Sequence, residues 1–404
     1  MFSMFSIAPT ERQSRVEWLQ LLGLLGLMIV GASFIYSATL AHETNTIPWH
    51  KELFVRQIFW YVAGSMAAGA MCVIDYRSLS RWSMLVYWVA MIALVAVLIP
   101  GIGTVVYGAR RWFDLGFFKL QPSEFAKLAF IFAFANFLSR PVDELRVGRN
   151  FLKALGMIAL PFLLIMKEPD LGSALIFLPM GLVMMFVAGV PMKYIRRLLF
   201  GVGLLVVMFL VDVLYAPPQW QIKLEDYQKR RLLVYFGRDY ASGKTTETER
   251  QTARVQQRND SYNVEQALIS VGSGGLLGKG WQQGTQNALG FLPRAVAHND
   301  FIFSVIAEEK GFMGSVMVIA LYSVVLFTGI RIAGQARDRL GKLLAVGVVT
   351  LLFSHVFINI GMNIRLMPVT GVPLPLLSYG GSSVLCSMIA IGLLQNVNLY
   401  RRSY

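Results

Sequence analysis

Residues 272–311 read GSGGLLGKGWQQGTQNALGFLPRAVAHNDFIFSVIAEEKG and lie between long apolar runs. Asp300 stands in this segment immediately before an apolar run that is typical of a helix. Its carboxylate could cap that helix by accepting backbone N–H groups. It could equally act as a general base, because a carboxylate at a non-aqueous boundary has a raised pKa. Position alone leaves both interpretations open.

The glycines of this segment do not form a nucleotide-binding loop. Ser273 and Gly280 occupy positions where a phosphate loop needs Gly and then Ser or Thr, and Leu277 replaces the last glycine of the dinucleotide motif. We expect the glycines to allow tight turns and a close backbone approach to a ligand or a neighbouring helix.

The composition is that of a polytopic membrane protein. Of 404 residues, 55% are hydrophobic and 15% are charged, whereas a soluble domain carries about a quarter charged residues. The net charge of +14 indicates basic loops at the inner membrane surface and anion contacts outside. Nucleic acid is not an expected partner, because no soluble basic domain is present. Cys72 and Cys386 lie in apolar runs and the four histidines show no ligand spacing, so no metal site is predicted.

Apolar runs of about 17 to 25 residues predict an all-α fold with ten transmembrane helices in one domain, residues 1–404. The first run follows two arginines and lacks a cleavage site, which favours an uncleaved span. The predicted spans lie near residues 18–39, 56–74, 84–100, 122–138, 151–166, 171–189, 198–214, 311–330, 342–362 and 381–399.

The run from Phe301 to Ile330 is too long for one span, since thirty helical residues measure about 45 Å. We therefore expect two pieces. The first contains Glu308, Glu309 and Lys310, which are tolerated at membrane depth only if they face a cavity, a partner or the interface.

The basic residues predict the orientation. Arginines and lysines concentrate in the loops on the side of both termini, which places both termini in the cytoplasm. The large loop between helices 7 and 8, residues 215–300, is then extracytoplasmic. Its stretch near 240–260 is polar and is predicted to be a solvated insertion.

Three acidic or basic positions inside apolar surroundings are further candidates. Glu124 and Lys127 share one helix face and could pair within the membrane, although Pro-Ser-Glu is also an ordinary way to start a helix. Asp170 stands at the outer end of a predicted span. A lone acid at such a place can belong to a functional site or can cap the helix that follows.

Basic residues on the predicted outer side suit an anionic ligand. Arg56 and the run Arg110, Arg111 and Trp112 go against the charge bias, and guanidinium groups match diphosphate oxygens. Interfacial anchoring is the alternative. The segment from Arg365 to Ser383 has three prolines and three glycines, and broken backbone at that depth must be buried in protein or line a cavity.

Several motifs together resemble one known family. The chain contains segments similar to signature segments of the SEDS (shape, elongation, division and sporulation) proteins, in the right order along the sequence: RWFDLGFFKLQPSEFAK, EPDLGSAL, GSGGLLGKGWQQGTQ, HNDFIFSVIAEEKGF and GVPLPLLSYGGSS. The GKGW form resembles the RodA branch more than the FtsW branch. The resemblance covers nearly the whole chain.

The resemblance implies a peptidoglycan glycosyltransferase of the bacterial inner membrane. Such enzymes have ten transmembrane helices and polymerise lipid II into glycan strands at the outer face. They work with a class B penicillin-binding protein, and other membrane proteins of the elongation complex are expected partners. No nucleotide is needed, and the leaving diphosphate would be stabilised by basic residues alone or with a divalent cation.

Site residues are implied where this sequence matches the family motifs. The essential outer-loop aspartate falls on Asp300, which would be the catalytic base. This sequence has Arg294 where the family usually has Glu. The substrate-binding candidates are Arg56, Arg110, Arg111, Trp112, Glu124, Lys127, Asp170, Lys279 and His298.

Two other functions stay open at this stage. A lipid II transporter would need the intramembrane charges Glu124, Lys127 and Asp170 but not Asp300. A non-catalytic scaffold of the cell-wall complex would need neither set. Against the transporter, the sequence shows no repeated halves.

Overall fold

The computed structural model describes residues 16–40, 52–106, 109–116, 118–215, 233–237, 247–292 and 297–402. Arg294 and the first part of the predicted insertion, 240–246, lie outside these residues. The helices, numbered in chain order, are α1 (Trp18–Leu40), α2 (Leu53–Val73), α3 (Tyr76–Ser80), α4 (Ser83–Leu98), α5 (Pro122–Leu138), α6 (Val142–Leu145), α7 (Gly148–Lys167), α8 (Leu171–Val187), α9 (Met192–Tyr215), α10 (Glu247–Ser273), α11 (Thr285–Ala288), α12 (Ile302–Gln335), α13 (Arg339–Asn363) and α14 (Gly381–Leu399).

The membrane character predicted from composition is confirmed. A helix overlaps each of the ten predicted spans. Six of these helices are long and apolar enough to cross a membrane, namely α1, α7, α9, α12, α13 and α14, and α4 and α8 are shorter apolar helices. The count of ten spans and the place of the large loop remain predictions.

The bundle is mostly helical, as predicted, but it also contains a small sheet that the sequence analysis did not predict. A three-stranded antiparallel sheet, β1 (Thr104–Val106), β2 (Ala109–Asp114) and β3 (Lys119–Leu120), connects α4 to α5. These strands are too short to show a clear alternating pattern in the sequence. Arg110, Arg111 and Trp112 lie on β2, so the sheet fixes their positions.

The predicted polar insertion is helical where the structure describes it. Residues 247–260 form the first half of α10, a 27-residue helix that packs on α12 and α13. Its mixed charges, with Glu and Arg at helical spacing, suit a solvated helix face.

Helix α12 breaks at Gly311, as the length of the apolar run predicted. Gly311 has φ 63° and ψ −158°, outside the helical region. In an unbroken helix, the N–H groups of Phe312 and Met313 would bond to the carbonyls of Glu308 and Glu309. The break leaves all four of these backbone groups without their helical partners.

The segment of residues 274–291, here called the glycine loop, supplies the four missing partners. Phe312 N donates to Gly275 O at 2.8 Å, and Met313 N donates to Leu276 O at 3.1 Å. In return, Lys279 N and Gly280 N donate to the carbonyls of Glu308 and Glu309, both at 3.0 Å. The break is thus fully satisfied by protein, as membrane depth requires.

Glycine is required where the two backbones meet. A Cβ on Gly278, which has φ +82°, would lie 2.2 Å from Glu309 O, and one on Gly274 would lie 2.0 Å from Ala307 O. The expectation that these glycines permit close backbone approach to a neighbouring helix is confirmed.

The connections that carry the candidate residues gather at one end of the bundle, called the site end. Arg111 Nε on β2 donates to Glu168 O between α7 and α8 at 3.0 Å. Ser382 at the start of α14 donates to Lys119 O on β3 at 3.1 Å. Ser37 near the end of α1 donates to Glu309 in α12.

The Gly278→Ala variant tests the backbone exchange. The added methyl group meets a carbonyl and strains a left-handed residue, so we expect the free energy of unfolding to fall by about 2 to 4 kcal/mol. Thermal unfolding in detergent measures it. Gly272→Ala is the matched control, because a Cβ at this helical glycine meets nothing within 4 Å. Equal stability of the two variants would contradict the exchange.

Candidate active site

Asp300 lies just before α12, but it is not the residue that caps this helix. The helix begins at Ile302, and Phe301 occupies the N-cap position without a side-chain cap hydrogen bond. The backbone carbonyl of Asp300 accepts hydrogen bonds from Asn363 Nδ2 at 3.0 Å and from Asn359 Nδ2 at 3.2 Å. Two amides of α13 therefore fix the main chain from which the carboxylate projects.

Asn359 and Asn363 belong to a polar stripe on α13 that our sequence analysis missed. His355, Asn359 and Asn363 are spaced by four residues, which puts them on one helix face, and all three are buried. The sequence could have shown this stripe, because polar residues that repeat at helical spacing inside an apolar span indicate a functional face. Asn363 also accepts from Ser304 Oγ at 2.6 Å, which ties the stripe to the first turn of α12.

The proline segment, residues 367–380, is buried or half-buried, as predicted for broken backbone at this depth, whereas Arg365 and Leu366 at the start of the predicted stretch are exposed. Its carbonyls have partners from several helices: Tyr322 OH donates to Pro375 O at 2.5 Å, and Gln57 Nε2 donates to Ser378 O at 3.2 Å. The segment also holds the chain before Asp300. Tyr379 N donates to His298 O at 3.0 Å, and Ser378 Oγ donates to Asn299 O at 2.6 Å.

Arg56 and His298 meet on Tyr379. The Tyr379 ring lies 5.8 Å from the His298 ring, and Arg56 forms a side-chain hydrogen bond with Tyr379. Burial raises the pKa of Tyr379, and the positive charge and hydrogen bond of Arg56 oppose that rise. Two of the predicted site residues thus contact Tyr379. The backbone N–H of this tyrosine bonds to the carbonyl of His298, which stands two residues before Asp300.

Glu124 and Lys127 form the predicted ion pair, and it is buried. Lys127 Nζ lies 2.6 Å from Glu124 Oε1 and 2.8 Å from His355 Nε2. His355 Nδ1 lies 3.2 Å from Pro373 O, and because a carbonyl only accepts, Nδ1 carries the ring proton. Nε2 is then the acceptor for the lysine ammonium, so the three side chains connect α5 and α13 to the proline segment.

Asp170 caps α8, which is one of the two roles that the sequence allowed for it. Its Oδ1 accepts from Ser173 N at 3.1 Å, and its Oδ2 accepts from Gln121 Nε2 at 3.2 Å. Two residues later, Gly172 packs so closely on the proline segment that a Cβ would lie 2.8 Å from Thr370 O. A Cβ on Gly371, in the same segment, would lie 3.7 Å from Asp300 Oδ2. The start of α8, which Asp170 caps, and Asp300 therefore both lie close to the stretch 370–372.

The arginines of β2 contact backbone carbonyls. Arg110 Nη1 donates to Leu98 O at 3.1 Å, and Arg111 donates to the carbonyls of Glu168 and Pro169. Trp112 is half-buried, and it pairs with Thr104 of β1 across the sheet. These contacts fix the sheet of β1, β2 and β3, here called the hairpin, against the end of α4 and the start of α8.

Lys279 belongs to the packing of the glycine loop against α12. Its ammonium lies 2.6 Å from Glu308 Oε1 and 2.7 Å from Thr285 Oγ1. Glu309 accepts from Ser37 Oγ at 2.5 Å and from Gln282 N at 3.0 Å. Both acids are buried and contact partners within the protein, as expected, whereas Lys310, the third charge of this stretch, is exposed.

Comparison with known proteins identifies the family. A family model described as "Cell cycle protein", which carries the names FtsW, RodA and SpoVE, matches residues 17–403. The chain belongs to this family. The predicted SEDS membership is thereby confirmed.

Individual members of the FtsW/RodA/SpoVE family are similar along their whole length. Peptidoglycan glycosyltransferase MrdB of Escherichia coli (strain K12) is 35% identical over 382 residues, which cover 95% of this chain and 93% of MrdB. A solved chain from a peptidoglycan synthase complex that coordinates polymerization and crosslinking is 26% identical, with a TM-score of 0.75 over 96% of this chain and 98% of that one. RodA of Thermus thermophilus shares the fold, with a TM-score of 0.65, 24% identity and coverage of 96% and 98%.

Glu168 is a buried acid of this family member that our sequence analysis passed over as part of the EPDLG motif. It is 0% exposed, and within the described part of the chain neither of its carboxyl oxygens has a hydrogen-bond partner. Burial, reinforced by the nearby charge of Asp170 and opposed by Arg111, raises its pKa to about 9. Glu168 is therefore a neutral acid at physiological pH.

The Glu168→Gln variant tests this protonation state. A free Glu ionises above about pH 4.3, whereas Glu168 in the fold keeps its proton to about pH 9. Glu168 therefore lowers the free energy of unfolding progressively between these two pH values, because only the unfolded state loses the proton there. Glutamine does not ionise, so it removes this loss of stability. We expect the variant to be more stable by on the order of 3 kcal/mol at pH 7, with no difference below about pH 4. Thermal unfolding at several pH values measures it; a gain independent of pH would contradict the neutral acid.

Proposed function

We propose that this chain is a peptidoglycan glycosyltransferase that polymerises lipid II into glycan strands for cell elongation and shape. The observation that carries the proposal is the placement of Asp300, whose main chain is fixed by Asn359 and Asn363 beside the glycine at 371. The motifs that surround it belong to a family whose similar member MrdB is named a peptidoglycan glycosyltransferase.

In the proposed reaction, Asp300 acts as a general base. The 4-hydroxyl oxygen of the acceptor N-acetylglucosamine attacks the anomeric carbon of the donor N-acetylmuramic acid, and its proton passes to the Asp300 carboxylate. The bond from that carbon to the diphosphate oxygen breaks, and undecaprenyl diphosphate leaves with the electron pair. Attack from the face opposite the leaving group inverts the anomeric configuration.

The leaving diphosphate is proposed to bind between α2 and the hairpin. Arg56 is exposed, and Trp60, one turn later, packs against Phe118 next to β3 with ring centroids 5.1 Å apart. Two neighbouring elements, α2 and the hairpin, therefore carry the predicted ligands Arg56, Arg110, Arg111 and Trp112. Guanidinium donors at a developing phosphate charge lower the barrier for its departure.

The remaining predicted residues support this site from inside the protein. We propose that Glu124, Lys127 and Asp170 hold the proline segment and α8 in position, and that His298 orients the acceptor sugar. Lys279 is proposed to fix the glycine loop through Glu308 and Thr285, and its predicted contact with the substrate stays a proposal.

A divalent cation would need ligands from the substrate. Within the described residues, no group of three or more His, Cys, Asp or Glu side chains could hold a metal ion. Diphosphate oxygens together with one carboxylate would be sufficient for Mg²⁺, which usually keeps several water ligands.

We propose that the site end faces the outside of the cytoplasmic membrane and that both termini are cytoplasmic. The basic residues that follow α3 and α5, such as Arg81 and Arg140, lie at the opposite end from Asp300, which agrees with the positive-inside rule. A class B penicillin-binding protein is the proposed partner. The similarity to a chain of a complex that coordinates polymerization with crosslinking supports this partner.

The transporter alternative predicts that the intramembrane charges form a substrate path. Glu124, Lys127 and His355 instead bond to one another and are each almost completely buried. A closed cluster of this kind suits a structural tie better than a path for a large lipid.

Polymerisation of purified lipid II tests the function, with the chain in liposomes and with its class B partner present. We expect Asp300→Asn to reduce the rate at least about a hundredfold, because general base catalysis contributes that much. Asp114→Asn is the matched control, since Asp114 is an exposed acid of the hairpin at the same end. Normal polymerisation by Asp300→Asn would show that the base assignment is wrong.

The same assay separates the other functions. If the wild-type chain makes no polymer with its partner, the transferase proposal fails. Transport of lipid II that survives Asp300→Asn but is lost in Lys127→Met would then favour the transporter.

The Gly371→Ala variant tests the space beside Asp300. Its methyl group would lie 3.7 Å from Asp300 Oδ2 and occupy space beside the carboxylate, so we expect a loss of polymerisation of about tenfold or more. Gly101→Ala controls for backbone strain, since Gly101 also has a positive φ and its Cβ would meet nothing within 4 Å. Equal activities of the two variants would place the reacting atoms elsewhere.

A further inference from the structure

The glycine loop exposes a cluster of large apolar side chains. Leu276, Leu277 and Leu289 are 64%, 77% and 67% exposed, and Trp281 is 48% exposed. An apolar cluster of this kind on a protein surface indicates a partner surface or a membrane. The proposed reaction gives these side chains no role.

Backbone hydrogen bonds place this cluster level with the start of a membrane span. Leu276 O accepts from Met313 N, and Gly275 O accepts from Phe312 N. Phe312 and Met313 open the apolar part of α12, and their own side chains are 61% and 56% exposed. The exposed Leu276, followed in sequence by the exposed Leu277, therefore lies beside the exposed apolar start of the span.

The charge of the loop is compatible with burial in lipid. Lys279 is the only ionisable residue between positions 274 and 292. Its ammonium is turned onto Glu308 of α12, which is 0% exposed. Inserting the loop would therefore not bring an unpaired charge into the bilayer, which would cost several kcal/mol.

The backbone of the loop is also compatible with lipid. Its amides bond to α12, and Gln286 N donates to Glu308 Oε1 at 2.9 Å, so these polar groups are satisfied by protein. Trp281, at the loop's edge, packs 6.4 Å from the Tyr36 ring near the end of α1. Trp and Tyr at such a place are typical of the membrane–water interface.

We propose that the glycine loop is inserted into the lipid leaflet at the site end, with Leu276, Leu277 and Leu289 among the acyl chains. The partner of this surface is the lipid itself. Because the loop is bonded to α12 at its break, about two to three helical turns after Asp300, insertion sets the depth of the candidate active site. A lipid-borne substrate would then reach Asp300 along the membrane plane.

Spin-label accessibility in nanodiscs tests the insertion. Single cysteines replace Leu277, Leu289 and Val255 in a chain that carries Cys72→Ala and Cys386→Ala, and each is labelled with a nitroxide. Val255 is the matched control, because it is 62% exposed but lies on the polar helix α10. Oxygen partitions into acyl chains and a polar nickel chelate into water, so their relaxation effects report depth.

We expect the ratio of oxygen to nickel accessibility to be at least severalfold higher at positions 277 and 289 than at position 255. Equal ratios would place the loop in water and overturn the proposal. A water-like ratio that changes only when the class B partner is added would assign the surface to a protein instead.

A second measurement avoids the cysteine variants. Brominated lipid should quench a component of the tryptophan fluorescence in the wild-type chain that is missing from Trp281→Phe. The same quenching in both proteins would place Trp281 outside the leaflet and contradict insertion.

Discussion

The break in α12 at Gly311 is the feature on which the rest of the site end depends. Four backbone groups lose their helical partners there, and the glycine loop supplies replacements for all of them. An unsatisfied peptide group in lipid costs several kcal/mol, so the break and the loop must form together. Their contact separates the short first part of α12, next to Asp300, from the long part that spans the membrane.

The same requirement shapes the proline segment. Its broken backbone is buried, and tyrosine, glutamine, asparagine and histidine side chains from α2, α12 and α13 bond to its carbonyls. Those side chains do more than satisfy the backbone. Asn359 bonds both to Val372 O and to Asp300 O, so one amide holds the proline segment and the candidate base in a fixed relation. Satisfying backbone in the membrane and positioning a reacting group are here one task.

Much of this arrangement was predictable from residue patterns. Run lengths located a helix at each of the ten predicted spans, and the excessive length after Phe301 predicted the break that Gly311 makes. The i,i+3 spacing of Glu124 and Lys127 predicted their ion pair. The motifs identified the family, because several long segments matched in order.

Other features depend on contacts between distant segments and were not predictable in this way. Nothing local shows that Glu308 pairs with Lys279 or that Asn363 reaches Asp300, because those partners are 29 and 63 residues apart. The hairpin escaped because its strands have two to six residues. Glu168 escaped because its burial depends on how distant segments such as β2, whose Arg111 donates to the Glu168 carbonyl, pack in the fold.

The most direct test of the account is the structure of this chain with its class B partner and a bound lipid II in the acceptor position. The account predicts that the acceptor 4-hydroxyl lies within hydrogen-bond reach of the Asp300 carboxylate, about 2.6 to 3.2 Å. An acceptor sugar bound well away from Asp300, with another group at that distance from the hydroxyl, would contradict it.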